Sequence, residues 1–306
     1  GPEKDRIHPI LYRPFDIRYT YYTGRSRGFQ CMPRHEVMRH MLKENIGLIT
    51  VRRVPPKNKP SYFLLTDKII SNGAIRSDNM SIDTLFPLYL YPKKEEKNPP
   101  RGSTVMMVFE PKATYGKKPN IAPEIFVKLS EAYQKSPSPE DILYYIYGVF
   151  YSSIYRETYA EFLKIDFPRV PFTADYGLFK KLVDLGKQIA DLHLLKSPAL
   201  DPPIAKYQGS GTNDRIDKIT YQEDEQRIYI NKDKYFEGIN PEVWNYHIGG
   251  YQVLQKYLKD RKGRNMDDAP RYCRIVTALS QTIEIQEQID KIYPEVEKEL
   301  VRFKKA

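Results

Sequence analysis

The chain has 306 residues, enough for a substantial core and two subdomains, and carries a formal charge of +10 from 49 Lys and Arg against 39 Asp and Glu. So many acids exclude a plain basic tail, and the surplus of cations favours an acidic partner, nucleic acid foremost. Cys31 and Cys273 lie far apart without Cys/His spacing, which excludes a zinc knuckle, argues against a disulfide framework and leads to the expectation of a reducing, cytoplasmic setting.

No stretch approaches the roughly 20 apolar residues of a membrane span, and no signal-peptide pattern opens the chain. Gly1-Pro2 reads as a scar of tag removal, so the natural polypeptide is expected to begin upstream. Tyrosine is abundant, with 25 residues against 13 phenylalanines. Most of these rings are expected to line helix contacts, Tyr144, Tyr145, Tyr147 and Tyr151 among them, while a minority could serve stacking or phosphate bonding.

Residues 10 to 32 are dense in Arg and Tyr. A short helix with the stripe Val37, Met38, Met41 and Leu42 is expected next. From Arg13 to Lys59 there are eleven Lys or Arg against three acids, a net +8 that holds most of the charge of the chain. Ile46 to Val54 is a β-rich run, a Pro55-to-Pro60 loop interrupts it, and Ser61 to Leu65 returns, which reads as a hairpin with a basic tip. Lys68 to Ile70 and Thr84 to Tyr91 complete an expected small sheet. Residues 92 to 103 read as a charged, turn-rich excursion, Thr104 to Glu110 as one more strand, and Lys112 to Lys118 as a basic loop.

Helices dominate after Pro123. Ser138-Pro139-Glu140-Asp141 is a start signal, with Ser138 as N-cap, Pro139 at N1 and an acid three positions on. A second helix spans Tyr155 to Leu163. A longer one carries Leu178, Leu182, Leu185, Ile189 and Leu192 on one face, with His193 expected to pack or cap. Residues 196 to 213 read as a Pro/Gly/Ser loop. Ile216 to Tyr221 and Gln226 to Ile230 read as a second hairpin, and a C-terminal helix starts at Asp268 and meets Pro294.

The most telling stretch runs from Trp244 to Arg264. Gly249-Gly250 permits positive φ and a close backbone approach, and a helical pattern follows. Leu254, Tyr257, Leu258 and Arg261 share one face, which leaves Lys256, Lys259, Lys262 and Arg264 for the outside and the exit turn. Such a helix suits a polyanion. The plainer reading is a solvated surface helix closed by Gly263.

Catalytic candidates are weak. Asn98-Pro99-Pro100-Arg101 and Asp201-Pro202-Pro203-Ile204 resemble the tetrapeptide of amino-methyltransferases, but the fourth residue is not aromatic and cannot stack on a flipped base. Neither has a glycine-rich turn nearby for a methyl donor. Asp83 with Glu95-Glu96-Lys97 could hold Mg²⁺ only by a spacing that charged chains produce by chance. There is no phosphate-binding glycine loop, no nucleophile elbow and no cluster of the five histidines. The chain reads as non-catalytic alone.

Tyr12-Arg13-Pro14-Phe15-Asp16-x-Arg18 with Tyr21-Tyr22, Phe86 to Tyr91, Phe167 to Phe172, Ile248 to Val253 with Gly263-Arg264, and Ala278-Leu279 with Thr282-Ile283 and Ile289-Asp290 occur in a familiar order. Together they resemble the C-terminal target recognition region of single-polypeptide restriction-modification enzymes, the type ISP group first and the type IIG enzymes behind it, over residues 8 to 293. The resemblance implies an N6-adenine methyltransferase upstream in the same polypeptide. It also implies a nuclease further upstream, joined in the type ISP case by a helicase motor. S-adenosylmethionine and Mg²⁺ would then belong to the full-length enzyme, and no cofactor to this part. It implies recognition of double-stranded DNA and a clamp of the duplex against the methyltransferase.

The expected fold is α+β. A β-rich subdomain over 3–120 bears the basic hairpin. A mainly helical subdomain over 121–306 holds the inserted hairpin near 216–230 and the C-terminal helix. Chemistry, not resemblance, nominates the contacts. Arg52, Arg53, Lys57 and Lys59 of the first hairpin and Lys256, Lys259, Arg261, Lys262 and Arg264 of the helix are expected on phosphates. Arg52, Arg53, Asn72 and Arg76 are positioned to read base edges, since Arg suits guanine and Asn suits adenine. Two other classes stay open: a helical protein-interaction module that docks on its own methyltransferase or nuclease, and a degenerate nucleic-acid-modifying enzyme.

Overall fold

In the computed structural model, residues 3–26, 29–78, 82–92 and 116–303 are described. The Arg- and Tyr-rich opening carries no strand signal in the sequence, yet it forms an antiparallel hairpin of β1 (Ile7–Arg13) and β2 (Asp16–Tyr21), with Leu11 opposite Ile17 and an irregularity before Arg13. Pro14-Phe15 makes the turn, and Phe15 sits at φ 62. Its left-handed backbone costs on the order of 1–3 kcal/mol. Burial of its ring, which meets the His193 imidazole edge-on at 5.6 Å, offsets that cost.

Helix α1 (His35–Met41) buries Met38 and Met41, the heart of its expected stripe. Strand β3 (Gly47–Thr50) is wholly buried and forms the centre of a sheet between β4 (Leu64–Thr66) and β6 (Thr84–Pro87), with Gly47 opposite both Thr66 and Pro87. The expected basic-tipped hairpin is therefore present. Strand β5 (Ile69–Ile70) leaves that sheet to pair in parallel with β1, Ile10 beside Ile69. Strand β7 (Tyr89–Leu90) pairs with β8 (Lys118–Pro119). The expected strand at 104–110, nearly all of the excursion at 92–103 and most of the basic loop at 112–118 lie outside the described residues.

Helices α2 (Pro123–Tyr133) and α3 (Pro139–Tyr151) follow. Ser138 closes a reciprocal cap on α3: its Oγ accepts from the Asp141 amide at 3.0 Å and its own amide donates to Asp141 at 3.1 Å. Such a cap contributes about 1 kcal/mol. The segment expected as one helix over 155–163 is divided into α4 (Ser153–Thr158) and α5 (Ala160–Leu163). Helix α6 (Tyr176–His193) lies along α3, so close that a Cβ on Gly186 would stand 1.9 Å from the Tyr144 carbonyl oxygen. Tyr145, Tyr147 and Tyr151 are buried there as expected, and Tyr151 donates to the Phe63 carbonyl at 2.9 Å, which ties α3 to the first sheet.

Strand β9 (Lys206–Gly209) arises within the Pro/Gly/Ser loop, unforeseen. It completes a four-stranded antiparallel sheet, β10-β11-β12-β9, with β10 (Thr220–Gln222), β11 (Arg227–Tyr229) and β12 (Lys234–Glu237). The expected hairpin near 216–230 is its β10–β11 half. The chain ends through α7 (Pro241–Trp244), the small ribbon β13 (His247–Ile248) and β14 (Tyr251–Gln252), α8 (Val253–Lys259) and α9 (Ala269–Val296). Asp268 caps α9 as expected, and Pro294 lies inside its last turn. Asp290 of α9 accepts from the Ser152 hydroxyl and the Ser153 amide, both at 2.8 Å, and so holds the start of α4. One apolar core runs from Ile10 to Val296, and the class is α+β.

Candidate nucleic-acid interface

Gly249 and Gly250 do permit a close approach, and the partner is the chain itself. Gly249 sits at φ 59 with its would-be Cβ 2.0 Å from the Ile75 carbonyl oxygen, and that of Gly250 would meet Ser77 Oγ at 2.2 Å. The Gly249 amide donates to Ser61 O and the Gly250 amide to Ile75 O, each at 2.8 Å. Tyr251 then donates from one hydroxyl toward two carbonyls, Gly73 at 2.9 Å and Arg76 at 2.8 Å. Three segments distant in sequence, 55–61, 71–78 and 249–251, are fastened into one joint. On its outside Lys57, Lys59 and Asn72 are exposed.

Asn72 combines a fixed backbone with a free side chain. Its carbonyl accepts from Arg13 at 3.3 Å, and Ser71 beside it bonds Leu11 O through its amide at 2.9 Å and Tyr12 O through its hydroxyl at 2.8 Å. Its amide group has no partner among the described residues, and neither do the ammonium groups of Lys57 and Lys59. The other hairpin cations are tethered at the surface. Arg52 Nε reaches Asp166 at 2.8 Å and Arg53 Nε reaches Ile165 O at 2.9 Å, both while exposed.

Arg76 differs from the expectation. It is 5% exposed, with two nitrogens on the Asp78 carboxylate, each at 2.7 Å, and a third on Arg53 O at 2.8 Å. A guanidinium closed in this way presents no fork to a base. Arg261 differs too. It makes a two-pronged bond to buried Asp16, at 2.8 and 3.1 Å, and lies 3.6 Å over the Tyr257 ring. Lys256 is half-buried and pairs with Asp260 at 2.6 Å. Lys259 leans on Gln255 at 2.6 Å yet stays exposed. Lys262 and Arg264 are exposed on a turn fixed by reciprocal bonds, Gly263 N to Ile216 O at 2.7 Å and Ile216 N to Arg264 O at 2.9 Å. Neither side chain has a partner among the described residues.

The motif at Tyr12 to Arg18, quoted only as a resemblance, turns out to organise this region. Arg13 and Arg18 both lie over the Tyr12 ring, at 4.0 and 3.6 Å, and Arg18 also bonds Asp16 at 3.0 Å. Burial opposes ionisation of Asp16, but the bonds from Arg261 and Arg18 more than offset it and hold its carboxyl below the ordinary range. The alternation Arg-x-x-Asp-x-Arg around a tight turn was the signal for it. Of the eleven cations between Arg13 and Lys59, Arg13, Arg18, Arg34 and Arg39 act inward, Arg34 on Asp83 O at 3.3 Å and Arg39 on Tyr91 O at 2.7 Å.

Asp83, considered above as a metal ligand, is 3% exposed beneath the joint. Burial pushes its pKa up to about 6, against the pull of the Ile75 and Ala74 amides and of Arg13 and Arg76. Those amides face it without completing a hydrogen bond of ordinary geometry to either oxygen. Glu95, Glu96, Lys97 and the tetrapeptide at 98–101 lie outside the described residues. In the other tetrapeptide Asp201 pairs with Arg274 at 3.3 Å and the Ile204 amide donates to Thr277 at 3.0 Å, so both ends of it contact α9. Among the described residues no group of three or more His, Cys, Asp or Glu converges on a metal-sized site, and no helix is long and apolar enough to cross a membrane.

No curated protein sequence matches this chain. Several solved structures share its fold, among them three complexes with DNA or a DNA mimic. The ATP-dependent type ISP restriction-modification enzyme LlaBIII bound to DNA superposes with a TM-score of 0.67 at 21% identity, over 94% of this chain and 19% of that one. A nuclease-deletion mutant of the type ISP enzyme LlaGI in complex with a DNA substrate mimic gives 0.63 at 20% identity, over 92% of this chain and 20% of that one. The DrdV–DNA complex, from electron cryo-microscopy, gives 0.67 at 21% identity, over 98% of this chain and 29% of that one. The chain thus spans less than a third of the length of each. The family model of the type ISP C-terminal specificity domain matches residues 1–288, and the chain belongs to that family.

Proposed function

We propose that this chain recognises a sequence in double-stranded DNA for a longer restriction-modification polypeptide. In that polypeptide it would present the target adenine to an upstream N6-adenine methyltransferase. S-adenosylmethionine, and Mg²⁺ for the nuclease, would be held by those upstream parts, and the setting would be cytoplasmic. The division of labour at residue 120, with recognition mainly in 3–120 and the frame in 121–306, belongs to the same proposal.

The observation that carries it is the joint. Its backbone is fastened by four hydrogen bonds from residues 249–251, while Lys57, Lys59 and Asn72 stand free on its outside. A fixed backbone suits a reader of a rigid duplex, because little backbone freedom is then left to lose on binding, and polar tips without a partner in the chain have no internal bond to break. Lys262 and Arg264 form a second cationic point beyond α8. The seven residues of that helix rise about 10 Å, on the scale of the roughly 12 Å width of a major groove. Lys57 and Lys59 on one side and Lys262 and Arg264 on the other are assigned to phosphates. Asn72 is assigned to a base edge.

The test is a salt titration of binding to a labelled duplex, for the wild type and for Lys57→Glu with Lys59→Glu. Affinity of the wild type should fall steeply with salt. The variant should bind more weakly and flatten the log-log slope by about 0.9 for each phosphate that is no longer neutralised. Binding that ignores salt, or a slope that the variant leaves unchanged, would remove this face from the interface.

A further inference from the structure

The turn after α5 is an exposed apolar tip. Phe162 is 68% exposed and Ile165 is 62% exposed, and Phe86 and Phe167, less exposed, touch edge-on at 5.6 Å. Large apolar side chains so far into water are unfavourable unless they meet a partner. The turn is not loose. Val54 N bonds Leu163 O at 2.9 Å, Arg53 bonds Ile165 O at 2.9 Å, and Arg52 bonds Asp166 at 2.8 Å. Three ties thus brace it against the same 52–59 segment that carries the free lysines.

Its surroundings identify the partner. Arg52, Arg53 and Lys164 flank the tip, against Asp166 and Glu161 as the nearby acids. The acids hold Arg52 and Lys164 only in solvent-screened pairs, which yield easily to phosphate. Two projecting side chains are also too few for a stable protein interface, which needs about 800 Å² from each side. One or two apolar side chains between cations are enough to part a base step.

We propose that Phe162 and Ile165 form a wedge that enters an opened base step of duplex DNA while Arg52, Arg53 and Lys164 hold the neighbouring phosphates. This rests on the DNA-recognition reading above and adds to it a deformation of the duplex at a defined point of the protein. Unstacking a step costs least where pairing is already broken. A wedge therefore favours damaged or mismatched duplex over matched duplex.

The experiment compares a matched duplex with one that carries a single central mismatch, each with 2-aminopurine beside the centre. The wild type should bind the mismatched duplex about tenfold more tightly and raise the 2-aminopurine fluorescence. Phe162→Ala with Ile165→Ala should bring the preference to about one and abolish the rise, with the salt slope and the melting curve unchanged. A double variant that keeps the preference overturns the wedge. One that binds both duplexes as the wild type does overturns it as well and turns the tip toward a protein surface. Wild-type binding without mismatch preference defeats the wedge alone. No salt-dependent binding at all defeats the recognition reading, and the wedge with it.

Discussion

Arg261 and Asp16 are 245 positions apart in sequence and joined by a two-pronged ion pair at 2.8 and 3.1 Å. The pair fastens the end of α8 to the turn of the β1–β2 hairpin, and Asp16 is 1% exposed. A residue that resembled a DNA clamp is therefore a strut of the fold. Arg261→Ala leaves a buried carboxylate with Arg18 as its remaining ionic partner. Loss of one member of a buried pair costs about 3–5 kcal/mol, and Arg18 should hold this case near 3. Arg261→Lys keeps the charge but loses the fork and should fall between. Urea unfolding measures both, and an Ala variant within 0.5 kcal/mol of wild type would disprove the strut.

The two glycines of the joint should respond unequally to alanine. At Gly249 the new Cβ would meet a backbone oxygen at 2.0 Å from a φ of 59, and backbone cannot step aside. The expected loss is about 3 kcal/mol or more. At Gly250 the nearest atom is the hydroxyl of Ser77, an exposed side chain that can rotate away, so the expected loss is about 1 kcal/mol. Equal losses, read by thermal unfolding, would mean that the joint is not rigid at the 73–77 side.

What was legible in the sequence was local. The cap at Ser138, the stripe on α6 and the cap at Asp268 depend on residues within one turn or one helix face, and all stand as read. The β1–β2 hairpin was hidden because Arg and Tyr obscure a period of two, and β9 because a short edge strand with exposed side chains leaves no apolar run. At the candidate interface, cations that look equivalent in the sequence are engaged differently in the fold. Arg52 and Arg76 look alike in sequence. Only the fold decides that one is at the surface and the other is enclosed by Asp78. A cation is free only when no acid from elsewhere in the chain reaches it, and Arg261 shows how distant that acid can be.

Asn72 should control base preference rather than overall affinity. The preferred duplex, selected from a random pool with wild-type protein, should lose about 1–3 kcal/mol of discrimination with Asn72→Ala, a factor between about 5 and 150. Binding to unrelated duplexes and the salt slope should hardly change, because phosphates carry no base identity. A uniform loss on all duplexes would move Asn72 from bases to backbone.

The last prediction concerns two buried groups with opposite effects on acid stability. His193 bonds Tyr147 through Nδ1 at 2.6 Å and Thr282 through Nε2 at 3.1 Å. Since the Thr282 hydroxyl donates to Ala278 O at 2.6 Å, Nε2 carries the proton and Nδ1 accepts. Burial, with Arg156 nearby, pushes this imidazole down to about 3. The unfolded chain binds a proton near pH 6.5 and the folded chain does not, so stability is full above that pH and falls as pH drops toward 3. Asp83 works the other way. Its carboxyl titrates at about 6 when folded and near 3.9 when unfolded, so a penalty present above pH 6 is relieved as pH falls toward 4. Between pH 6 and 4 one effect takes a proton into the unfolded state and the other into the folded state, and their slopes should largely cancel. Asp83→Asn removes the compensation. That variant should be more stable than wild type at pH 7, by up to about 3 kcal/mol, and below pH 6 should lose about 1.4 kcal/mol per pH unit more than wild type does. Urea unfolding from pH 8 to pH 4 reads both differences. Parallel curves for the two proteins would mean that Asp83 is ionised in the fold at no cost, and that the space beneath the joint is wetter than its burial implies.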